Sequence, residues 1–470
     1  MSPRVSGWAG VMPGRKIRTT EPAPGGGQAG SLKFVSGARD GETHGGLMVS
    51  EYLWQATAAV VRPLRFLFLQ PSWLFLATLA VVLFRPPDYP FYSADHVVFV
   101  ALVLAAGLHV MVTRRRIPLV KAISAPMLCL LVLAGARLLS QPFDAETWSL
   151  VAAKFVVPYT LFHLAMLMFG EVRAGRRLEI FAVVVLAYLC FTALAFVAGA
   201  RALIFPRFIL DESLGIHLDR ARGPFLQAVA NGVTLNLLGL VALDSFGRGR
   251  LRGWWGALLL AALPVAILAT MTRAVWLSFA GSVVAVWWLN DSRRVRRVCL
   301  AWVIAGAMVA AVALSSETLR STLQDRAVEE GPVEVRLSVY RAAWELIQER
   351  PLVGWGINRM PPELARRMEG YHLKAFWPHN TYLEILVEQG VLGLGLYVWL
   401  MVGVYRLGRP RRAGGDEFPG AGFRRLWPVM LGVYLFNAMF VVMNYQFVNG
   451  LVFTLAGVLA AQNWRDEEAR

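Results

Sequence analysis

Residues 377–390 read Trp-Pro-His-Asn-Thr-Tyr-Leu-Glu-Ile-Leu-Val-Glu-Gln-Gly, placing a histidine, His379, ahead of two carboxylates, Glu384 and Glu388, four residues apart. An imidazole titrates near neutrality, so His379 can exchange a proton at the mouth of whatever element follows. Four residues make about one helical turn, which sets Glu384 and Glu388 on one helix face. The following stretch, Val391 to Leu400, is almost wholly apolar. Ionisable groups bordering such a stretch are costly and mark a candidate functional site. Helix capping competes for part of the motif. Asn380 is one candidate N-cap, and Thr381 with Glu384 three residues later forms a capping box. Neither arrangement needs the histidine. Glu388, one turn deeper, is open to three readings: protonated, paired with an arginine, or packed inward.

Arginine supplies the second kind of chemistry. Arg220, Arg222 and Arg273 fall at or near the ends of apolar runs, where a guanidinium carries a desolvation cost unless an anion, or a lipid phosphate reached by snorkelling, meets it. The planar guanidinium fork matches phosphate oxygens, so converging arginines at membrane depth suit a phosphate or diphosphate. A lipid-linked diphosphate has its headgroup at that depth and its tail in the bilayer.

These residues need a scaffold, and composition says what kind. Of 470 residues, 56% are hydrophobic. The apolar residues gather into runs of about 17–25, the length that crosses a bilayer as helix. Runs near 65–84, 96–113, 118–139, 148–169, 178–199, 225–243, 254–271, 273–289, 298–315, 381–404, 426–443 and 446–463 predict an all-α, polytopic bundle of about 12 transmembrane helices.

Arginine placement orients the bundle, because short cytoplasmic loops collect Lys and Arg. With the N-terminus inside, the inward loops hold Arg114 to Arg116, Arg173 with Arg176 and Arg177, Arg248 with Arg250 and Arg252, Arg293 to Arg297, and the group from Arg406 to Arg425. The early outward loops, 85–95 and 140–147, hold only Arg85. Both termini are therefore expected in the cytoplasm. The net charge of +16 reads as topology, not as a nucleic-acid footprint.

Two outward segments break the bias: 200–224 and 316–380, the second including Arg336 and Arg341. Long loops cross the membrane regardless of charge, which accounts for most of their arginines. The longer segment, expected as a large periplasmic loop, has internal order. After a linker around Glu329 to Pro332, Glu334 to Arg350 reads as a helix with Leu337, Tyr340, Arg341 and Trp344 within reach of one face. Pro351 stops it, Gly354-Trp355-Gly356 makes a tight turn, and Pro361-Pro362 opens a short helix. Such helices are expected to lie over the bundle as a lid. Residues 1–62 are expected as a disordered cytoplasmic segment, its first 50 residues reading equally as a start codon placed too early; 63–463 form the membrane domain and 464–470 a cytoplasmic tail. Cys129, Cys190 and Cys299 all fall inside predicted spans and indicate no disulfide framework.

The order of these features resembles the O-antigen ligase and polymerase superfamily. The pieces are Arg222-Gly-Pro-Phe225 with Asn231, Thr272-Arg273 opening a span, then Arg336, Arg341 and Trp344. Pro351 to Gly356, His379 to Glu384 and Glu388 to Gly390 complete the series. The resemblance covers roughly 200–405. It implies an inner-membrane, GT-C-like glycosyltransferase that moves glycan from undecaprenyl diphosphate to lipid A-core, or to a growing polysaccharide, at the periplasmic face. It further implies that His379 is the base and that Arg220 or Arg222, together with Arg273, holds the diphosphate. Arg336 and Arg341 would be lid contacts, with no metal or other cofactor. Glu384 and Glu388 are counted with the substrate-binding residues. Expected partners are the lipid-linked glycan, the glycan acceptor and membrane lipids, with no nucleic acid. A transporter or flippase of lipid-linked glycan, and a non-catalytic assembly scaffold, remain alternatives of other classes.

Overall fold

The computed structural model describes residues 70–85, 94–114, 119–139, 142–215, 218–315, 331–368, 378–409 and 418–468. All of them belong to one compact unit, Arg62–Arg470. The N-terminal segment, part of the linker at 329–332 and residues 369–377 lie outside them. Among the described residues every regular element is helical.

The helices follow the apolar runs. In chain order they are α1 (Pro71–Leu83), α2 (Ala94–Thr113), α3 (Lys121–Leu139), α4 (Ala145–Met168), α5 (Val172–Val197), α6 (Ala228–Gly247), α7 (Gly253–Leu268), α8 (Arg273–Leu289) and α9 (Arg293–Ser315). Then come α10 (Gly331–Glu349), α11 (Met360–Arg367), α12 (Thr381–Arg406), α13 (Ala421–Ala438) and α14 (Gln446–Glu468). Eight of these are long and apolar enough to cross a membrane, while α1, α7 and α8 are apolar but shorter. The close pair either side of Arg273 is two separate helices. The expected tail from 464 instead continues α14 as helix to Glu468.

Burial sorts the bundle into centre and rim. The apolar windows of α6 and α14 are 89% buried, against 17% for α2 and 11% for α9. A helix apolar all round must be surrounded on every side, by protein or by lipid. α6 and α14 are surrounded by protein, α14 packing on α4 and α6 on α5, α7 and α13. α2 and α9 present Met111, Val112, Met308 and Val312 outward, as lipid-facing helices do.

α10 and α11 pack on the N-terminal half of α12 through Val339, Ala342, Ala343, Leu346, Met360 and Leu364. The set read from sequence, Leu337, Tyr340, Arg341 and Trp344, points the other way and is exposed. The three- and four-residue steps of a helix fit either stripe of α10, and the smaller side chains won the packed face because they allow close approach. Arg367 clamps the two short helices, pairing with Glu349 at 2.8 Å and Glu363 at 2.8 Å.

Candidate functional site

The site grows from a break in α12. Gly390 has φ +68°, a left-handed conformation inside an otherwise helical run, so the helix stops at Gln389 and restarts at Val391. The turn after α10 fills the gap. Trp355 and Gly356 donate backbone N–H groups to the carbonyls of Val387 and Glu388, both at 2.8 Å, and Val391 and Leu392 donate to the carbonyls of Pro351 (2.8 Å) and Leu352 (3.2 Å). Backbone groups freed by the break are thereby satisfied by another segment, as membrane depth requires. The approach is close enough to demand glycine on both sides. A Cβ on Gly354 would sit 2.5 Å from the Val387 carbonyl oxygen, and one on Gly390 2.3 Å from that of Leu352. The Pro-Leu-Val-Gly-Trp-Gly and Glu-Gln-Gly motifs are two halves of one joint.

The outer half of α12 starts at a defined cap. The Asn380 side chain accepts from Tyr382 N at 3.0 Å and Leu383 N at 3.1 Å. Thr381, the competing cap, instead donates to the Val441 carbonyl at 2.8 Å and accepts from Met443 N at 2.9 Å. His379 precedes the cap with φ +45°. A non-glycine residue held there costs roughly 1–3 kcal/mol, a strain that concentrates at functional sites. Partial desolvation, and then the positive charge of Arg336 on α10, hold its imidazole below the usual histidine range. At neutral pH it is a free base with an arginine nearby. Two residues singled out in sequence are therefore brought together.

Glu384 and Glu388 do share a face, and their partner is one that sequence reading missed. Lys154 of α4 donates to Glu384 at 2.7 Å and to Glu388 at 3.1 Å. Glu388 thus pairs with a lysine instead of an arginine. Lys154 lies in a π-helical turn, Ala152–Val156, just before Pro158. Such a turn adds a residue to the helical repeat and re-aims the side chains it carries. A lone lysine in a predicted span, with Pro158 four residues on, was the available signal. The three charged groups line a cavity of about 70 Å³ that reaches Thr381.

The arginines divide. Arg222 is 2% exposed, and its guanidinium donates to the carbonyls of Ile209 (3.0 Å), Asp211 (2.5 Å) and Leu214 (2.5 Å), stapling the loop before α6. Asn231 donates to the Ala221 carbonyl at 2.8 Å, and a Cβ on Gly223 would meet its side chain at 2.7 Å. The Arg-Gly-Pro-Phe and Asn combination is a folded unit. Arg220 and Arg222 line one pocket together with Arg201. Arg220 faces Asp219 at 3.6 Å, and its Nε has no hydrogen-bond partner among the described residues. Arg273 stands exposed at the first position of α8, and Arg341 is exposed on α10.

The arrangement offers a neutral base at a strained helix mouth, a pocket lined by arginines, and a carboxylate-bearing cavity below the mouth. Compared with known proteins, the family model described as O-antigen ligase matches residues 256–398, a span that runs from α7 through the break in α12. No curated protein matches the chain.

Proposed function

Because residues 256–398 make this chain a member of the O-antigen ligase superfamily, we propose that it is a membrane glycosyltransferase acting on lipid-linked glycan. The donor is glycan on undecaprenyl diphosphate, and the acceptor is a hydroxyl of lipid A-core or of a growing polysaccharide. The observation that carries this reading is His379, a strained imidazole kept in its base form beside Arg336 at the mouth of the matched region.

The chemistry follows from those groups. The acceptor oxygen attacks C1 of the donor sugar, the C1–O bond to the diphosphate breaks, and the acceptor proton passes to the His379 imidazole. A positioned base contributes about 10²–10⁴ in rate. Charge growing on the leaving diphosphate needs fixed donors, which the arginines supply without a metal in this scheme. Arg220, with an unsatisfied Nε in the arginine pocket, is the better diphosphate ligand of its pair, since Arg222 is engaged by the loop. Arg273 is assigned to the same anion, and Arg336 and Arg341 to the lid. Attack opposite the leaving group inverts the anomeric centre. This scheme places the site at the periplasmic face of the inner membrane, with both termini in the cytoplasm.

Deleting the gene and resolving the envelope polysaccharide on a gel tests the reading. Loss of polymer from lipid A-core is expected of a ligase. A single-repeat band assigns a polymerase, and lost exopolysaccharide with intact lipopolysaccharide an exopolymer polymerase. Unchanged polysaccharide in every fraction overturns the transferase reading. The interrupted α12 favours a second reading, a flippase, since discontinuous helices line transport sites. Purified protein that moves lipid-linked glycan across vesicles without transferring it selects that alternative.

A further inference from the structure

The cavity under Thr381 holds a group that neither the lysine–carboxylate cluster nor the helix joint uses. Gln389, the last residue before the break, is 3% exposed, and neither its Oε1 nor its Nε2 has a hydrogen-bond partner among the described residues. Gly393 makes room for it, since a Cβ there would lie 2.8 Å from the Gln389 Oε1. An amide stripped of water and left unpaired is costly, and more so at membrane depth. The same cavity is lined by Lys154, Glu384 and Glu388 and walled by Phe155 and Phe453.

Charge decides what fits. One lysine faces two carboxyl groups, so the cavity has no surplus positive charge to hold a phosphate, unlike the arginine pocket around Arg201, Arg220 and Arg222. What remains on offer is an amide that both donates and accepts, carboxylate oxygens that accept, and aromatic walls. That is the complement of a neutral sugar ring, with hydroxyls on its edge and C–H groups on its faces. The cavity is small, about 70 Å³; since one water takes about 10–15 Å³ of such space, it has room for several waters, the scale of a single ring and not of an oligosaccharide.

We propose that this cavity is a sugar subsite, in which Gln389 binds hydroxyls of a neutral ring of the glycan substrate while the diphosphate is held elsewhere. The subsite rests on the transferase reading above and deepens it by assigning a specificity residue. Its lining runs along α12 from Gln389 to Thr381, two residues from His379 in the chain.

Repeat-unit oligosaccharide, released by mild acid from the producing cell's own surface polysaccharide, is the probe, with inorganic pyrophosphate as the control. Purified full-length protein in nanodiscs should melt at higher temperature with the oligosaccharide. Gln389→Leu and the near-isosteric Gln389→Glu should lose that shift and keep the parental response to pyrophosphate. In a transfer assay Gln389→Leu should raise the KM for the lipid-linked glycan about tenfold, the worth of one or two neutral hydrogen bonds, with a smaller change in kcat. A parent that transfers glycan but shows no oligosaccharide shift, or variants that respond as the parent does, overturns the subsite and leaves the transferase reading standing. A parent that binds the oligosaccharide yet never transfers overturns the transferase reading and leaves the subsite.

Discussion

Lys154 and Glu384 stand 230 residues apart in the chain, yet the Lys154 ammonium donates to a Glu384 carboxylate oxygen at 2.7 Å. The contact ties α4 to the outer half of α12, the half-helix that begins at the Asn380 cap next to His379. With the backbone joint at Gly390, it fixes that half-helix at both ends.

Removing the ammonium strands two carboxylates in the bundle. Lys154→Met should lower stability by about 3–5 kcal/mol, the usual cost of breaking a buried ion pair from one side. Lys154→Arg should retain most of it. Lys154→Met combined with Glu384→Gln and Glu388→Gln should recover much of the loss, because no charge is then left unpaired. Thermal unfolding in detergent reads all three, and a triple variant no better than the single one would show that the ion pairs are not what holds α12.

The joint itself is sensitive to one methyl group. Gly390→Ala places a side chain at φ +68° and against the Leu352 carbonyl, and Gly354→Ala meets the Val387 carbonyl in the same way. Backbone strain alone is worth roughly 1–3 kcal/mol at each position. Limited proteolysis should cut the 351–356 turn in either variant and spare it in the parent.

The two neighbouring arginines should separate experimentally. Arg222→Lys cannot reach three carbonyls at once, so the loop before α6 should loosen and stability fall by about 1–3 kcal/mol. Arg220→Lys should leave the melting temperature unchanged and weaken undecaprenyl diphosphate binding about tenfold to a hundredfold, as a lost charged hydrogen bond would. Equal effects of the two substitutions on stability would remove Arg220 from the donor site.

The pH profile tests His379. Its imidazole is held below 6.5 by desolvation and then by Arg336. The reactive base form therefore persists into mildly acidic solution, and kcat/KM should fall only as pH drops through the lowered value. Arg336→Gln removes a repelling charge and should move that acid limb to higher pH. His379→Gln keeps hydrogen bonding but takes no proton, and should slow transfer by about two to four orders of magnitude. A Gln variant as fast as the parent would take His379 out of the mechanism.

Much of this molecule is visible one residue at a time. Helical runs are local, set by apolar length and by the arginines that flank them, so α1 to α9 and α12 to α14 follow the hydropathy pattern, while α10 and α11 follow the proline and glycine punctuation between runs. His379, Glu384 and Glu388 stand out because charge beside an apolar stretch is rare, and their spacing alone puts both carboxylates on one face. Pairing is a different matter. Lys154 looks like an isolated cation in a span until α4 and α12 are laid side by side, since hydropathy carries no information on which helices touch. The glycines of the 351–356 turn read as an ordinary tight turn, and Gly390 as one glycine in a hydrophobic helix. Their meaning depends on two backbones meeting within hydrogen-bond distance, a condition only the tertiary fold imposes. Arg222 shows the same limit from the other side: its place at a span end suggested an anion, and the fold turned its guanidinium onto the carbonyls of its own loop.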